Sequence, residues 1–168
     1  MPDKIVIMYT DGACEPNPGP GGWAAILQYT DPTGHVHEKE LSGNEEKSTN
    51  NRMEIMGVLE GLRALKEPCH VRVFSDSKYV VNSIGNWHKG QAIPTKAGWI
   101  VNWKNRGWRR KEGPLKNIEL WKQIWEEVKK PLTFKIKWVR GHDGNPLNER
   151  ADFLAVEARL KIGPMMAD

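Results

Sequence analysis

The sequence predicts a mixed α/β fold, a sheet of five strands flanked by helices. Two observations predict it. Short β-patterned runs joined by tight turns crowd the first third of the chain, and strands alternating with helical stretches fill the rest. Nothing in the sequence suggests a repeat, a low-complexity tract or a linker that would divide the chain.

Residues 4–10 alternate loosely and end in Thr10-Asp11-Gly12, a strand running into a turn. Pro16 to Gly22 is turn-rich, and Trp23 to Gln28 reads as a second strand. Asp31-Pro-Thr-Gly34 is a hairpin connection into a third strand over 35–42. A helix follows over about 50–66, capped by Thr49 or Asn50 and stopped by Pro68. Residues 70–74 are a Val-rich strand and 77–84 a helix. Residues 85–117 look irregular, basic and rich in Trp. A helix over 118–129, a strand over 133–139 and a last helix from Asn148 to about Leu160 complete the order. One domain over 1–163 is expected, with a basic protrusion at about 85–117 and a frayed tail at 164–168.

The 168 residues carry a formal net charge of +4, with 39% hydrophobic and 27% charged residues, the balance of a water-soluble globular chain. Between Lys78 and Lys116 lie nine Lys or Arg residues and one acid, Glu112, a block that suits a polyanion or a solvated face. Two cysteines, Cys14 and Cys69, make a disulfide framework an unattractive reading and favour a reducing compartment. With no signal-like start and no membrane-length apolar run, the cytoplasm is the expected location and no membrane partner is expected.

Four carboxylates occupy unusual places. Asp11 and Asp76 each end a strand, so parallel neighbours would deliver both to one sheet edge, where open α/β sheets hold ligands. Glu54 opens the helix stripe Val58, Gly61, Leu65 that should face the sheet, and Asp152 borders the stripe Ala151, Leu154, Ala155, Ala158. Each acid has a simpler role open to it: an Asx turn at Asp11, a helix cap at Asp76, a pair with Arg52 for Glu54, a solvated first turn for Asp152. Clustered, the acids would repel one another and raise each other's pKa, which a divalent cation would relieve. Oxygen-only ligands favour Mg²⁺ or Mn²⁺, and two such ions roughly 4 Å apart suit phosphodiester hydrolysis.

The ordered motifs Tyr9-Thr-Asp11-Gly-Ala-Cys14, Asn17-Pro-Gly-Pro-Gly-Gly22, Thr49-Asn-Asn-Arg-Met-Glu54, Ser75-Asp76-Ser-Lys-Tyr-Val80, Val139-Arg-Gly-His142-Asp-Gly-Asn145 and Asn148-Glu-Arg-Ala-Asp152 resemble those of type 1 ribonuclease H in its bacterial form. The resemblance spans about 4–160. It implies three antiparallel strands followed by two parallel ones, and endonucleolytic cleavage of the RNA strand of RNA–DNA hybrids that leaves 3′-hydroxyl and 5′-phosphate ends. It also implies a monomer, with two metal ions on Asp11, Glu54, Asp76 and Asp152, and His142 serving proton transfer or product release. By the same resemblance Cys14, Asn17, Asn50 and Asn51 contact the hybrid groove, partly through backbone atoms. Lys78 stands there where many relatives carry glutamine. Thr49, Trp87, Lys89, Trp99, Trp103, Lys104, Arg106 and Trp108 are candidates for holding the DNA strand or its phosphates, with a packed indole cluster as the competing reading for the tryptophans. A nuclease of the same fold acting on DNA junctions, or an inactive hybrid-binding module, are the rival functions.

Overall fold

The structure is a computed structural model, and it describes residues 4–141 and 143–161. The first three strands form the expected meander: β1 (Ile5–Cys14), β2 (Gly19–Thr30) and β3 (Val36–Ser48). Helix α1 (Asn50–Arg63) follows, started by Thr49, whose hydroxyl accepts from the Arg52 amide at 3.1 Å. Next come β4 (His70–Ser75) and α2 (Lys78–Ile84), the latter capped by the Ser77 hydroxyl. Strand β9 (Thr133–Trp138) pairs parallel with β4, which pairs parallel with β1.

The segment expected to be irregular is structured. It folds as β5 (Gly85–His88), β6 (Gln91–Ala97), α3 (Trp99–Asn105) and the small hairpin β7 (Arg109–Arg110) with β8 (Gly113–Pro114). Strand β5 pairs antiparallel with β9, so the sheet has seven strands in the order β3-β2-β1-β4-β9-β5-β6 rather than five. The added hairpin turns at Lys89 (φ 46°) and Gly90 (φ 80°), the two left-handed positions that suit a tight hairpin. Its neck is closed by Gly85 and Gly98, since a Cβ on Gly85 would lie 2.2 Å from the Gly98 nitrogen.

Helix α4 (Ile118–Glu127) buries Leu120, Trp121 and Ile124. Helix α5 (Pro146–Leu160) starts earlier than its expected cap Asn148. Asn145 caps it, accepting from the Leu147 and Asn148 amides at 3.1 Å each, with Pro146 in the first turn. The core lies between one sheet face and α1, α2 and α4, where Met8, Ile55, Val58, Val73, Trp121 and Phe134 are fully enclosed. Helix α5 covers the other face over β1 and β2. There a Cβ on Gly22 would fall 2.1 Å from the Ala155 carbonyl oxygen, so only glycine permits that approach. The expected tail at 164–168 lies outside the described residues, and no described helix is long and apolar enough to cross a membrane.

Candidate active site

The parallel ladder between β1 and β4 has Thr10 opposite Ser75 as its last rung. The next residue on each chain is an acid, so Asp11 and Asp76 stand side by side where the β1–β4 ladder ends. Asp11 does not end its strand as the sequence suggested, because β1 runs on to Cys14 paired with β2, with Asp11 opposite Ala24. Helix α1 brings Glu54 to them by packing closely on β1. Gly12 permits that contact: a Cβ there would stand 2.5 Å from both the Glu54 nitrogen and the Met53 carbonyl carbon. The same residue links two of the acids. Its amide donates to Asp11 Oδ1 at 2.9 Å and to Glu54 Oε1.

Asp11, Glu54 and Asp76 each offer a carboxylate oxygen, and these three atoms lie within 4.8 Å of one another. Asp11 is 4% exposed and Glu54 7%. Burial, offset in part by the Glu54 hydrogen bond and reinforced by the charge of Asp76, pushes the Asp11 carboxyl up from 3.8 to about 8. Glu54 is likewise pushed well up, first by burial and then by the charge of Asp11. Glu54 Oε2 is buried with no hydrogen-bond partner. A buried carboxylate oxygen left bare is expensive, and an all-oxygen set of this kind is what a hard divalent cation binds. The pair once open to Glu54 is not formed: Arg52 instead bridges Glu45 on β3, at 2.7 Å, and Glu119 on α4.

Asp152 is half-buried on α5. It neighbours Asp11, whose carboxyl it helps to push up, but it stands outside the three-oxygen set. His142 lies outside the described residues. Its neighbour Gly141 packs on Asp76, since a Cβ there would meet Asp76 Oδ2 at 2.8 Å.

The other expected contacts fall in several places. Asn17, Thr49, Asn50 and Asn51 line one wall of a groove of about 1020 Å³, with Trp99, Trp103 and Arg106 also lining it. The Asn17 side-chain oxygen accepts from the Asn50 backbone amide at 3.2 Å, which ties the turn after β1 to the start of α1. Lys104 is exposed with its ammonium 5.7 Å from the Trp125 ring, and Lys78 is exposed 4.6 Å over Trp138, whose indole N–H donates to the Asp76 carbonyl at 3.0 Å. Cys14 is buried with its sulfur 3.3 Å from the Pro16 and Gly19 carbonyl oxygens, so only its backbone is available to a ligand.

Trp87 and Lys89 do not join the groove. Trp87 is 3% exposed, donates to the Ile84 carbonyl at 2.9 Å and packs edge-on against Trp125. Lys89 sits at the hairpin tip, its amide bonded to the Leu132 carbonyl just before β9 begins. That is the end of the sheet opposite Asp76, because β9 runs parallel to β4. Trp103 is also mostly enclosed, against Trp121, and Trp108 packs on Trp125, so the indoles of this region chiefly pack. Sequence reasoning missed Tyr79, Arg110 and Lys116 on the groove wall. The basic block held a signal for the last two, but no period places a loop cation on a particular wall.

Comparison with known proteins agrees with this geometry. The family model for RNase H matches residues 3–159. Ribonuclease H of Cupriavidus metallidurans is 49% identical over 151 residues, covering 89% of this chain and 92% of that protein. Ribonuclease H of Thermus thermophilus is 45% identical, covering 90% and 81%. Among solved structures, LC9-RNase H1, described as a type 1 RNase H with the type 2 active-site motif, superposes with a TM-score of 0.78 at 31% identity, covering 95% of this chain and 74% of that one. The chain belongs to the RNase H family, in its type 1 bacterial form.

Proposed function

We propose that Asp11, Glu54, Asp76 and Asp152 hold two divalent cations, Mg²⁺ with Mn²⁺ as a substitute, and that His142 serves proton transfer or product release beside them. The activity they serve follows from the family: the chain is an endonuclease that hydrolyses the RNA strand of RNA–DNA hybrids, leaving 3′-hydroxyl and 5′-phosphate ends. The observation that carries the proposal is Glu54 Oε2, buried without a partner and held within a set of three converging carboxylates. When bound, the cations supply Lewis acidity that activates water and neutralises charge on the phosphate.

The chain's own residues do the rest. The Gly12 amide fixes the orientation of the Asp11 and Glu54 carboxyls, so little reorganisation is needed when the cluster ionises. Asn17, Asn50 and Asn51 offer both donors and acceptors, which suits the 2′-hydroxyls that separate RNA from DNA. Across the groove Arg106, with Lys104 beside it, suits backbone phosphates and so sets position rather than sequence. Lys78 brings a point charge where an amide would read a donor–acceptor pair. The free, buried state of Cys14 and Cys69 suits the cytoplasm, and we read the chain as one domain acting as a monomer.

Cleavage of an end-labelled hybrid with and without Mg²⁺, beside all-DNA, all-RNA and junction substrates, tests this reading. Metal-dependent cuts confined to the RNA strand are expected. Preferential cutting of the junction, or hybrid binding without cleavage, would overturn it.

A further inference from the structure

The sheet has one covered face and one that is covered only in part. Val71, Val73, Phe134 and Ile136 point into the core. The intervening residues of β4 and β9 point the other way, beyond the reach of α5, which lies over β1, β2 and β3. There Arg72, Lys135 and Lys137 are exposed. The register puts Arg72 directly beside Lys135, and Phe74 beside Lys137. Phe74 is half-buried and stacks on Tyr9 with ring centroids 4.9 Å apart.

Like charges directly opposite on paired strands destabilise a sheet. Here two cations face each other and a third lies two residues on. Among the described residues none of the three has an ion pair or hydrogen bond to offset the repulsion. No carboxylate shares this face on β1, β4 or β9 before Asp11 and Asp76 at its end. A polyanion would relieve the repulsion. An open sheet face with aromatic rings among the cations suits splayed bases better than a duplex groove, because single strands are held by backbone cations together with stacking.

We infer that this open sheet face, with Arg72, Lys135 and Lys137 around Phe74, binds a single-stranded nucleic-acid tail that continues from the hybrid. The face includes β4, the strand that leads into Asp76, so it adjoins the catalytic edge, with the α5 cap Asn145 bonded to the Tyr9 hydroxyl at their border. The site is separate from the acidic cluster and from the groove, so its failure would leave the catalytic reading intact.

The test measures binding in EDTA, where no cleavage is expected, by fluorescence anisotropy. The probes are a blunt hybrid and the same hybrid with a tail of about ten nucleotides, as DNA in one arm and RNA in another, at either end. A tail of at least one kind should tighten binding to the full chain roughly tenfold. The triple variant Arg72→Gln, Lys135→Gln, Lys137→Gln should lose that gain. Its salt slope on the tailed probe should shrink by about 2, from about 0.7 for each lost phosphate contact to a single strand. Its melting temperature should be at or slightly above the parental value, since the facing charges no longer repel. Its rate on the blunt hybrid should stay at the parental level, and a variant with Lys135→Arg and Lys137→Arg should keep the gain. Two results would overturn the inference: no tail of either kind improves binding, or the triple variant keeps the improvement.

Discussion

Replacing Glu54 with glutamine separates the electrostatics of the acidic cluster from its shape. The amide side chain would keep an acceptor for the Gly12 N–H and offer Asp11 a donor in place of a competing charge. In the metal-free protein, both Asp11 and Glu54 have their carboxyls raised in the folded state, so the fold resists their ionisation. The sign follows from linkage. A group whose folded pKa lies above its unfolded value stabilises the protein below the unfolded value and loses that contribution as pH climbs through the folded one. For Asp11 the window runs from 3.8 to about 8. At pH 7 a carboxyl held so high is disfavoured by on the order of 4 kcal/mol, at 1.36 kcal/mol for each pH step above its ordinary value. Removing Glu54's own ionisation, which burial and the Asp11 charge oppose, should make E54Q more stable than the parent by roughly 1–3 kcal/mol at pH 7–8. The gain amounts to about 2–10 °C in melting temperature. Below pH 4 the two proteins should melt together. Thermal melts in EDTA across this range read the effect directly, while hybrid cleavage by E54Q in Mg²⁺ should fall at least about a hundredfold. A variant that is no more stable than the parent at pH 8, or whose advantage grows as pH falls, would refute the reasoning.

Three further outcomes follow from the geometry. Gly12→Ala forces β1 and α1 apart and should lower stability by about 1–3 kcal/mol while reducing cleavage, because it displaces Glu54; chemical denaturation with a parallel activity assay checks both. Trp87→Leu should destabilise by about 2–4 kcal/mol through the cavity it leaves and leave the salt dependence of KM unchanged. Lys104→Gln with Arg106→Gln should do the reverse, holding stability and kcat while reducing the slope of log KM against log salt by up to about 2; a salt series on both variants decides whether packing and phosphate binding divide this way.

The sheet edge and its acids were legible because period-two and helical patterns set which residues share an edge or a face. A Thr10-Asp11 and a Ser75-Asp76 step on neighbouring strands, and a helix stripe beginning at Glu54, suffice to converge three carboxylates once the strands pair in parallel, although β1 itself runs on to Cys14 because β2 keeps pairing with it. The β5–β6 hairpin was hidden for equally physical reasons. Its turn is Lys89-Gly90, where the usual asparagine or aspartate signal is missing, and Pro94 argues against a strand unless it lies on an edge, which β6 does. Trp87 looked like a nucleic-acid contact because it sits among cations in sequence; only its pairing opposite Phe134 reveals that it faces the core. The start of α5 was misplaced by a few residues because Asn145 and Asn148 are both good caps. Pro146, comfortable in a first turn, favoured the earlier one.

The most direct measurement is anomalous diffraction from crystals of this chain soaked in Mn²⁺. A peak at bonding distance from one oxygen each of Asp11, Glu54 and Asp76 is predicted, lost in an Asp76→Asn crystal treated identically. Manganese absent from that position, or bound there with Asp76 replaced, would contradict the claim that these carboxylates are a cation site.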